Sequence, residues 1–248
     1  MRSLPRSLAL IAALALTAGL AACGDDDDAS ASFTSPSDDA HIAGGVELEL
    51  AADGITIEEA GEVRDGAGHF HVVADEGCVE TGEAIAKDAD HVHLGKGQSA
   101  GTIYLEPGTH ELCVQVGDGE HHALDVTDTI TVSVGIEDLD QWCAVVEEVD
   151  DKFDETDNSD DEVDVKQASY ANILRLTAQL QAGMDVVDAD QRATVAEAID
   201  AAATFAEVLS TVTDQAEIEE RLAPLYENDP FAEAGVWIED TCGVSITS

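Results

Sequence analysis

The spacing of apolar residues changes near residue 136, and this change limits the fold more than any other feature of the sequence. Before it, apolar and polar residues alternate in stretches such as VELELAADGITI and DTITVSV, as they do in half-buried strands. After it, apolar residues recur every three or four positions, as on one face of a helix. We therefore predict an α+β chain of two domains, with strands first and helices second.

Residues 37–135 are predicted to form an immunoglobulin-like β-sandwich. Turn signals such as Asp53-Gly54 and Pro107-Gly108 separate roughly seven short strands along this segment. Short strands at this spacing are typical of two antiparallel sheets packed face to face.

Residues 136–248 are predicted to form an antiparallel bundle of four helices or so, followed by a last short helix that ends at Gly243. Apolar stripes at helical spacing begin at four positions, near Leu139, Tyr170, Val195 and Ile218. Asp164, Asp188 and Asp214 each precede a Gln or Glu by three residues, a pattern that resembles a helix capping box.

The chain begins with MRSLPRSLALIAALALTAGLAAC, in which two arginines precede an apolar run and small residues precede Cys23. The run is too short for a comfortable membrane span and is typical of a signal peptide. The small residues and Cys23 together resemble a bacterial lipobox. The resemblance implies that residues 1–22 are removed and that Cys23 carries a diacylglycerol thioether and usually an N-acyl chain such as palmitate. Several acyl chains would hold the protein at the cell membrane, facing outside the cytoplasm.

Residues 23–36 are predicted to be an acidic, flexible tether between this anchor and the first domain. The segment reads CGDDDDASASFTSP. Its four adjacent aspartates repel one another, and its Ser, Ala and Pro content builds no core.

The formal net charge of the chain is −44, with only ten Lys and Arg residues. Without Arg2 and Arg6 the mature chain would carry about −46. Such a surface excludes nucleic acid and anionic lipid head groups as partners and attracts cations. A carboxylate shell that keeps the protein hydrated in salty or alkaline surroundings is one explanation of the charge. Calcium binding is the alternative explanation of the charge, but the D-x-[DN]-x-[DN]-G pattern of a calcium loop is absent from the sequence.

Four cysteines remain once Cys23 is assigned to lipid, and an even number in an exported protein indicates two disulfides. Four cysteines allow three pairings. The division into two domains favours Cys78–Cys113 and Cys143–Cys242. The second pair would close a loop of about 100 residues and stabilise the fold by about 4–5 kcal/mol in the chain-entropy account.

All eight histidines lie in the strand-rich half, and four of them form H-x-H pairs. In GHFHVVA, His69 and His71 share one face of a predicted strand, and in DHVHLG, His91 and His93 do the same. The apolar residues between them favour the core, so both pairs are predicted to point outward or into a groove at the sheet edge. If the two strands are neighbours, the four rings converge on one patch.

An H-x-H pair on a strand is a good chelating unit, because both rings project the same way. Imidazole suits Zn, Cu and Ni, so we predict a transition-metal site formed by these pairs, with Zn or Cu as the ion. His121 and His122 are further candidate ligands, of which at most one can join, because adjacent strand residues face opposite ways. A hydrogen-bonded cluster of surface histidines without metal is the alternative.

The sequence HVHLGKGQS also invites comparison with a phosphate-binding loop. That loop requires a glycine where Asp90 stands and a Ser or Thr where Gly97 stands, so the comparison fails. Gly95 and Gly97 are instead predicted to be turn residues with positive φ.

Residues 66–134 contain four motifs in order: GHFHVV, HVHLGKGQS, EPGTHELCVQV and TDTITVSV. Together they resemble a family of small exported bacterial domains of unknown function, marked by a histidine-rich strand and an H-x-H-[FL]-G-K-G-Q turn. The family is typically richer in histidine on its first strand, where this chain has Phe70. The resemblance implies a β-domain in which the H-x-H histidines matter, and it implies no reaction.

These features predict an exported, membrane-anchored lipoprotein that acts as a binding module with a histidine-based metal site. The alternative is a structural or protein-interaction lipoprotein that docks an envelope protein without metal. Nucleophile-elbow and zinc-protease motifs (G-x-S-x-G and H-E-x-x-H) are absent, so no catalytic residue is predicted.

Overall fold

A computed structural model of the chain describes residues 29–88, 90–159 and 161–246. The predicted signal peptide, residues 1–22, and the predicted lipidation site Cys23 lie outside these ranges. None of the described helices is both long enough and apolar enough to cross a membrane.

Within these described ranges, nine strands precede five α-helices and one short 3-10 helix. The strands are β1 Ser30–Ser35, β2 Ala40–Ile42, β3 Val46–Asp53, β4 Thr56–Ile57, β5 Ala67–Ala74, β6 His91–Leu94, β7 Ala100–Ile103, β8 Gly108–Gly117 and β9 Ala123–Val134. The helices are α1 Leu139–Asn158, α2 Val163–Ala182, α3 Arg192–Thr211, α4 Gln215–Asn228 and α5 Phe231–Cys242, with the 3-10 helix Met184–Val186 between α2 and α3. The predicted order of strands and then helices is confirmed.

The strands form two sheets around one apolar core. A three-stranded sheet has the order β1-β3-β7, and a larger sheet has the order β2-β9-β8-β5-β4, with β6 also paired to β5. Strands β2 and β4 run parallel to their neighbours, and the other pairs are antiparallel. The immunoglobulin-like sandwich is not confirmed, because the sheet is curled into a half-barrel.

Strand β1 corrects the predicted tether. Residues 30–35 pair with β3 from Ser30 opposite Asp53 onward, and Ala31 is buried in the core. Ala31 and Phe33 alternate with serines, so the segment has an apolar face that its Ser-rich composition concealed. The prediction of a flexible tether over residues 23–36 is therefore wrong for residues 30–35.

The helical half starts and ends at residues that partly match the predicted signals. Asp214 caps α4 by accepting from the Glu217 N–H, and α5 ends at Gly243, which has φ +74°, as predicted. Asp164 lies inside α2 and Gln191 precedes α3, so the caps predicted at Asp164 and Asp188 are wrong.

Both predicted disulfides are confirmed. Cys78 is bonded to Cys113 on β8, and Cys143 on α1 is bonded to Cys242 at the end of α5. The second bond joins the beginning and the end of the helical half across a sequence separation of 99.

The two halves pack together through the buried side chain of Gln179 on α2. Its Oε1 accepts from the Gly44 N–H at 2.8 Å, and its Nε2 donates to the Leu105 carbonyl at 3.0 Å and the Gly44 carbonyl at 3.2 Å. Tyr104, next to Leu105, belongs to the apolar core of the helices. The helices therefore hold the strand-rich half at the edge where β7 ends.

Candidate metal centre

Four imidazole rings meet at one point on the larger sheet. His69 and His71 come from β5, His93 from β6, and His121 from the loop between β8 and β9. One nitrogen from each of the four lies within 4.8 Å of the others. We call this group the four-histidine cluster.

The pairing register of the sheet explains why these rings meet. Strand β5 runs antiparallel to β6 with His71 opposite His93, and residues directly opposite share a face of the sheet. On its other side β5 pairs with β8, where His69 stands opposite Gly117, the last residue of that strand. The loop after Gly117 then brings His121 over the same face.

The ring nitrogens in the cluster are close enough to share one ion. His71 Nε2 lies 2.9 Å from His69 Nε2, and His121 Nε2 lies 3.0 Å from His93 Nε2. The ring centroids are separated by 4.7–5.7 Å. A tetrahedral zinc ion with Zn–N bonds of about 2.0–2.1 Å sets its ligand nitrogens about 3.3 Å apart. The cluster is thus near the size of a four-nitrogen metal site.

His69 and His71 lie inside the protein and His93 and His121 are half-buried, which corrects the prediction that the H-x-H pairs point outward. His69 and His71 are completely buried, and all eight residues of β5 are buried. The loop before β6 covers the face that alternation assigns to solvent, since the Ile85 N–H donates to the His121 carbonyl at 2.9 Å. A pattern with period two cannot reveal a loop that packs over the second face of a sheet.

Two glycines make room for the rings. A Cβ at Gly95 would lie 2.1 Å from the His93 ring, and a Cβ at Gly117 would lie 3.0 Å from His71 Nε2. Gly97 has φ +74°, as predicted for a turn residue, but Gly95 does not have a positive φ. The prediction for Gly95 is therefore wrong, and the close approach of a histidine explains why glycine suits that position.

The loop that carries His121 is shaped by Asp118. The Asp118 Oδ1 accepts from the backbone N–H groups of Glu120 and His122, both at 2.9 Å. The Asp118 carbonyl also accepts from the N–H of His121, whose φ is +71°. A short polar loop of this kind holds an otherwise unfavourable backbone conformation in place, and so fixes the direction of the His121 ring.

Burial lowers the pKa of three rings of the cluster, those of His69, His71 and His93. It lowers the pKa of His71 to about 3, with further lowering from the neighbouring His69, His93 and His121. Burial likewise lowers the pKa of His69 to about 4 and, with Lys87 as the next cause, lowers the pKa of His93. Neutral imidazole is the form that binds a metal, so protons do not compete for these nitrogens at neutral pH.

The two ring nitrogens of His69 and His71 that face each other indicate why a cation would bind here. At 2.9 Å, the Nε2 atoms of His69 and His71 need either a proton or a metal ion between them, since two lone pairs facing each other repel. The Nδ1 atoms of these two residues are buried and have no hydrogen-bond partner among the described residues. A cation shared by the two Nε2 atoms would remove the repulsion between their lone pairs.

Two predicted ligands lie outside the cluster. His91 stands opposite Val73, and its Nδ1 bonds Asp88 Oδ1 at 2.6 Å while its Nε2 lies 3.7 Å from Glu76. His122 faces Asp118, and its Nδ1 lies 3.5 Å from Asp118 Oδ1. The prediction of His91 and His122 as ligands is therefore corrected, and only one residue of the 121–122 pair joins the cluster, as predicted.

Comparisons with known proteins give one domain family and no curated relative. Residues 48–135 match DUF4399, a domain of unknown function, and this segment includes all four cluster histidines. The match covers less than half of the chain. No curated protein matches the sequence.

A solved structure with detectable similarity is the X-ray structure of the endo-beta-1,4-mannanase from Thermotoga petrophila. Its identity to this chain is 19%, the TM-score is 0.30, and the match covers 46% of this chain. The chain spans only 21% of that structure's length. Similarity at this level carries no functional argument.

Proposed function

We propose that the protein is a membrane-anchored lipoprotein outside the cytoplasm whose strand-rich half binds one transition-metal ion through His69, His71, His93 and His121. The observation that supports this function is the convergence of four imidazole nitrogens within 4.8 Å of one another. Four rings drawn from two strands and a loop are unlike the isolated pairs of a solvated surface.

Four imidazole ligands favour a metal ion that is intermediate between hard and soft. Imidazole nitrogen suits Zn(II) and Cu(II), whereas Mg and Ca require oxygen ligands, and no carboxylate belongs to the cluster. A zinc ion held by four protein ligands keeps no open position, which is typical of holding a metal rather than of catalysis. We therefore propose metal binding as the role, with Zn(II) or Cu(II) as the ion.

The charge of the chain supports the same role. A net charge of −44 raises the local concentration of cations near the surface. The cluster itself offers imidazole nitrogens and no carboxylate, so the imidazoles would decide which of these cations is bound.

The proposed anchor would keep the metal site near the membrane. If Cys23 is lipidated, only residues 24–29 separate it from β1. Fully extended, that segment reaches about 20 Å. The folded part would then remain near the bilayer surface and would take metal from the space next to it.

The test is metal stoichiometry on the full-length protein purified without an affinity tag. We expect one Zn(II) or Cu(II) per chain by elemental analysis and calorimetry, and loss of binding in His93→Ala. The matched control is His91→Ala, which removes a histidine from the same strand but not from the cluster. Equal loss in both variants, or no binding by either ion, would overturn the proposal and favour an envelope-interaction role without metal.

A further inference from the structure

A cleft of about 510 Å³ opens among the helices, far from the four-histidine cluster in sequence. Its walls are mostly apolar and rich in aromatic rings, including Trp142, Phe153 and Phe205. Small-molecule sites usually occupy about 300–1,000 Å³ and combine apolar walls with a few polar groups. The cleft has both features.

The acidic groups of the cleft all lie along one helix. Asp150, Asp154 and Asp157 line it from α1, at spacings of four and three residues that place them on one helix face. Asp157 accepts from the Tyr170 hydroxyl. No salt bridge reaches Asp150 or Asp154 within the described parts of the chain.

The two unpaired carboxylates are crowded by like charge. Burial raises the pKa of Asp150, and the charges of Asp154 and Asp151 raise it further. A positive group between Asp150 and Asp154 would relieve this repulsion. Among the described residues that line the cleft none is basic, so an anionic ligand would meet repulsion without compensation.

An exposed aromatic ring stands at the same cleft. Tyr226 is 71% exposed, and its ring lies 5.6 Å from that of Phe205 on the cleft wall. Exposed aromatic rings beside carboxylates favour organic cations, because the ring face attracts positive charge. The carboxylates, the aromatic rings and the apolar volume of the cleft therefore all favour an organic cation as the ligand.

We propose that this cleft binds an amphipathic organic cation, with its apolar body among the rings and its ammonium group at Asp150 and Asp154. The site is independent of the metal centre. It gives the helical half a binding function of its own.

Calorimetry on the full-length protein with benzyltriethylammonium tests the proposal, with benzylsulfonate as the anionic counterpart. We expect saturable binding of one cation per chain, unchanged by a metal chelator, and no binding of the sulfonate. Asp150→Asn combined with Asp154→Asn should weaken the binding of the cation about tenfold or more. Ala202→Phe, which adds a ring to the cleft wall, should block it.

The matched control is Asp140→Asn with Glu147→Gln, an exposed pair on the same helix with the same charge change, neither of which lines the cleft. We expect the control to bind like the wild type. Equal weakening by both pairs would show attraction by the acidic surface alone, and equal binding of the sulfonate would show unselective apolar binding. Either result, or the absence of binding, would overturn the proposal.

Discussion

His71 lies directly opposite His93 across the antiparallel pair of β5 and β6. In this register the other histidines of the two H-x-H pairs, His69 and His91, do not face each other. Because the strands run in opposite directions, His91 lies opposite Val73 and not opposite a histidine. The cluster therefore takes its fourth ring from His121 on a loop.

Gly95→Ala should weaken metal binding while leaving the fold intact. The new Cβ would lie 2.1 Å from the His93 ring, so the ring must move out of the cluster. We expect a loss of affinity of about 10- to 100-fold, as when a supporting residue of a metal site is disturbed. Competition titration against a chelating dye measures it.

The control for that change is Gly135→Ala. A Cβ there would meet its nearest neighbour, an atom of His41, at 3.7 Å, an ordinary contact away from the cluster. Unchanged affinity in Gly95→Ala would contradict the position assigned to His93.

Asp118→Ala should loosen the loop that carries His121. The change removes the oxygen that accepts from the N–H groups of Glu120 and His122, at a cost of about 1 kcal/mol per hydrogen bond. We expect lower metal affinity and a lower free energy of unfolding, measured by titration and by urea denaturation. Asp118→Asn keeps an acceptor oxygen and should restore most of both. If Asn behaves like Ala, the loop is not held by this oxygen.

Stability of the metal-free protein should fall on acidification in the range set by His69 and His71. Their folded pKa values are lowered to about 4 and about 3, while the pKa of a histidine in the unfolded chain is about 6.5. Between those values the unfolded state binds more protons, so this contribution is complete above about pH 6.5 and is lost as the pH falls towards 3–4.

Urea denaturation at pH 7 and pH 5 isolates this effect when wild type is compared with His71→Gln. We expect the variant to lose less stability than the wild type between the two pH values. His110→Gln is the control, because His110 bonds Asp75 outside the cluster. An equal pH response in wild type and His71→Gln would mean that the burial of His71 does not lower its pKa.

Replacing Cys143 and Cys242 by serine should destabilise the protein more than replacing Cys78 and Cys113. The first disulfide closes a separation of 99 residues and the second a separation of 35. The chain-entropy account gives about 4.7 and about 3.8 kcal/mol. Free energies of unfolding of the two double variants check both the size and the order. A larger loss from the shorter loop would contradict the entropic explanation.

The sequence predicted the α+β order and both disulfides because these depend on local periodicity and on the number of cysteines. It also singled out His69, His71 and His93, since each sits in an H-x-H pair on a strand. His91 was wrongly included because a register shift of two residues keeps every side chain on its face while changing its partner. Nothing local reports that shift.

His121 was named only as one of two adjacent candidates for the same reason. Its ring reaches the cluster through a turn with φ +71°, and the bonds that hold this turn come from Asp118. The Asp118-Gly119 dipeptide indicated a turn there, but not the direction of its side chains. The buried Gln179 was likewise beyond prediction, because its partners lie more than 70 residues away.

X-ray absorption spectroscopy of the protein loaded with one equivalent of Zn(II) would show whether the four histidines hold the metal. The account predicts a first shell of four nitrogens at about 2.0–2.1 Å with the multiple-scattering pattern of imidazole. It further predicts that the pattern falls to three imidazoles in His121→Ala and stays at four in His91→Ala. A shell dominated by carboxylate or water oxygen, or one that is unchanged in His121→Ala, would contradict the four-histidine cluster as the metal site.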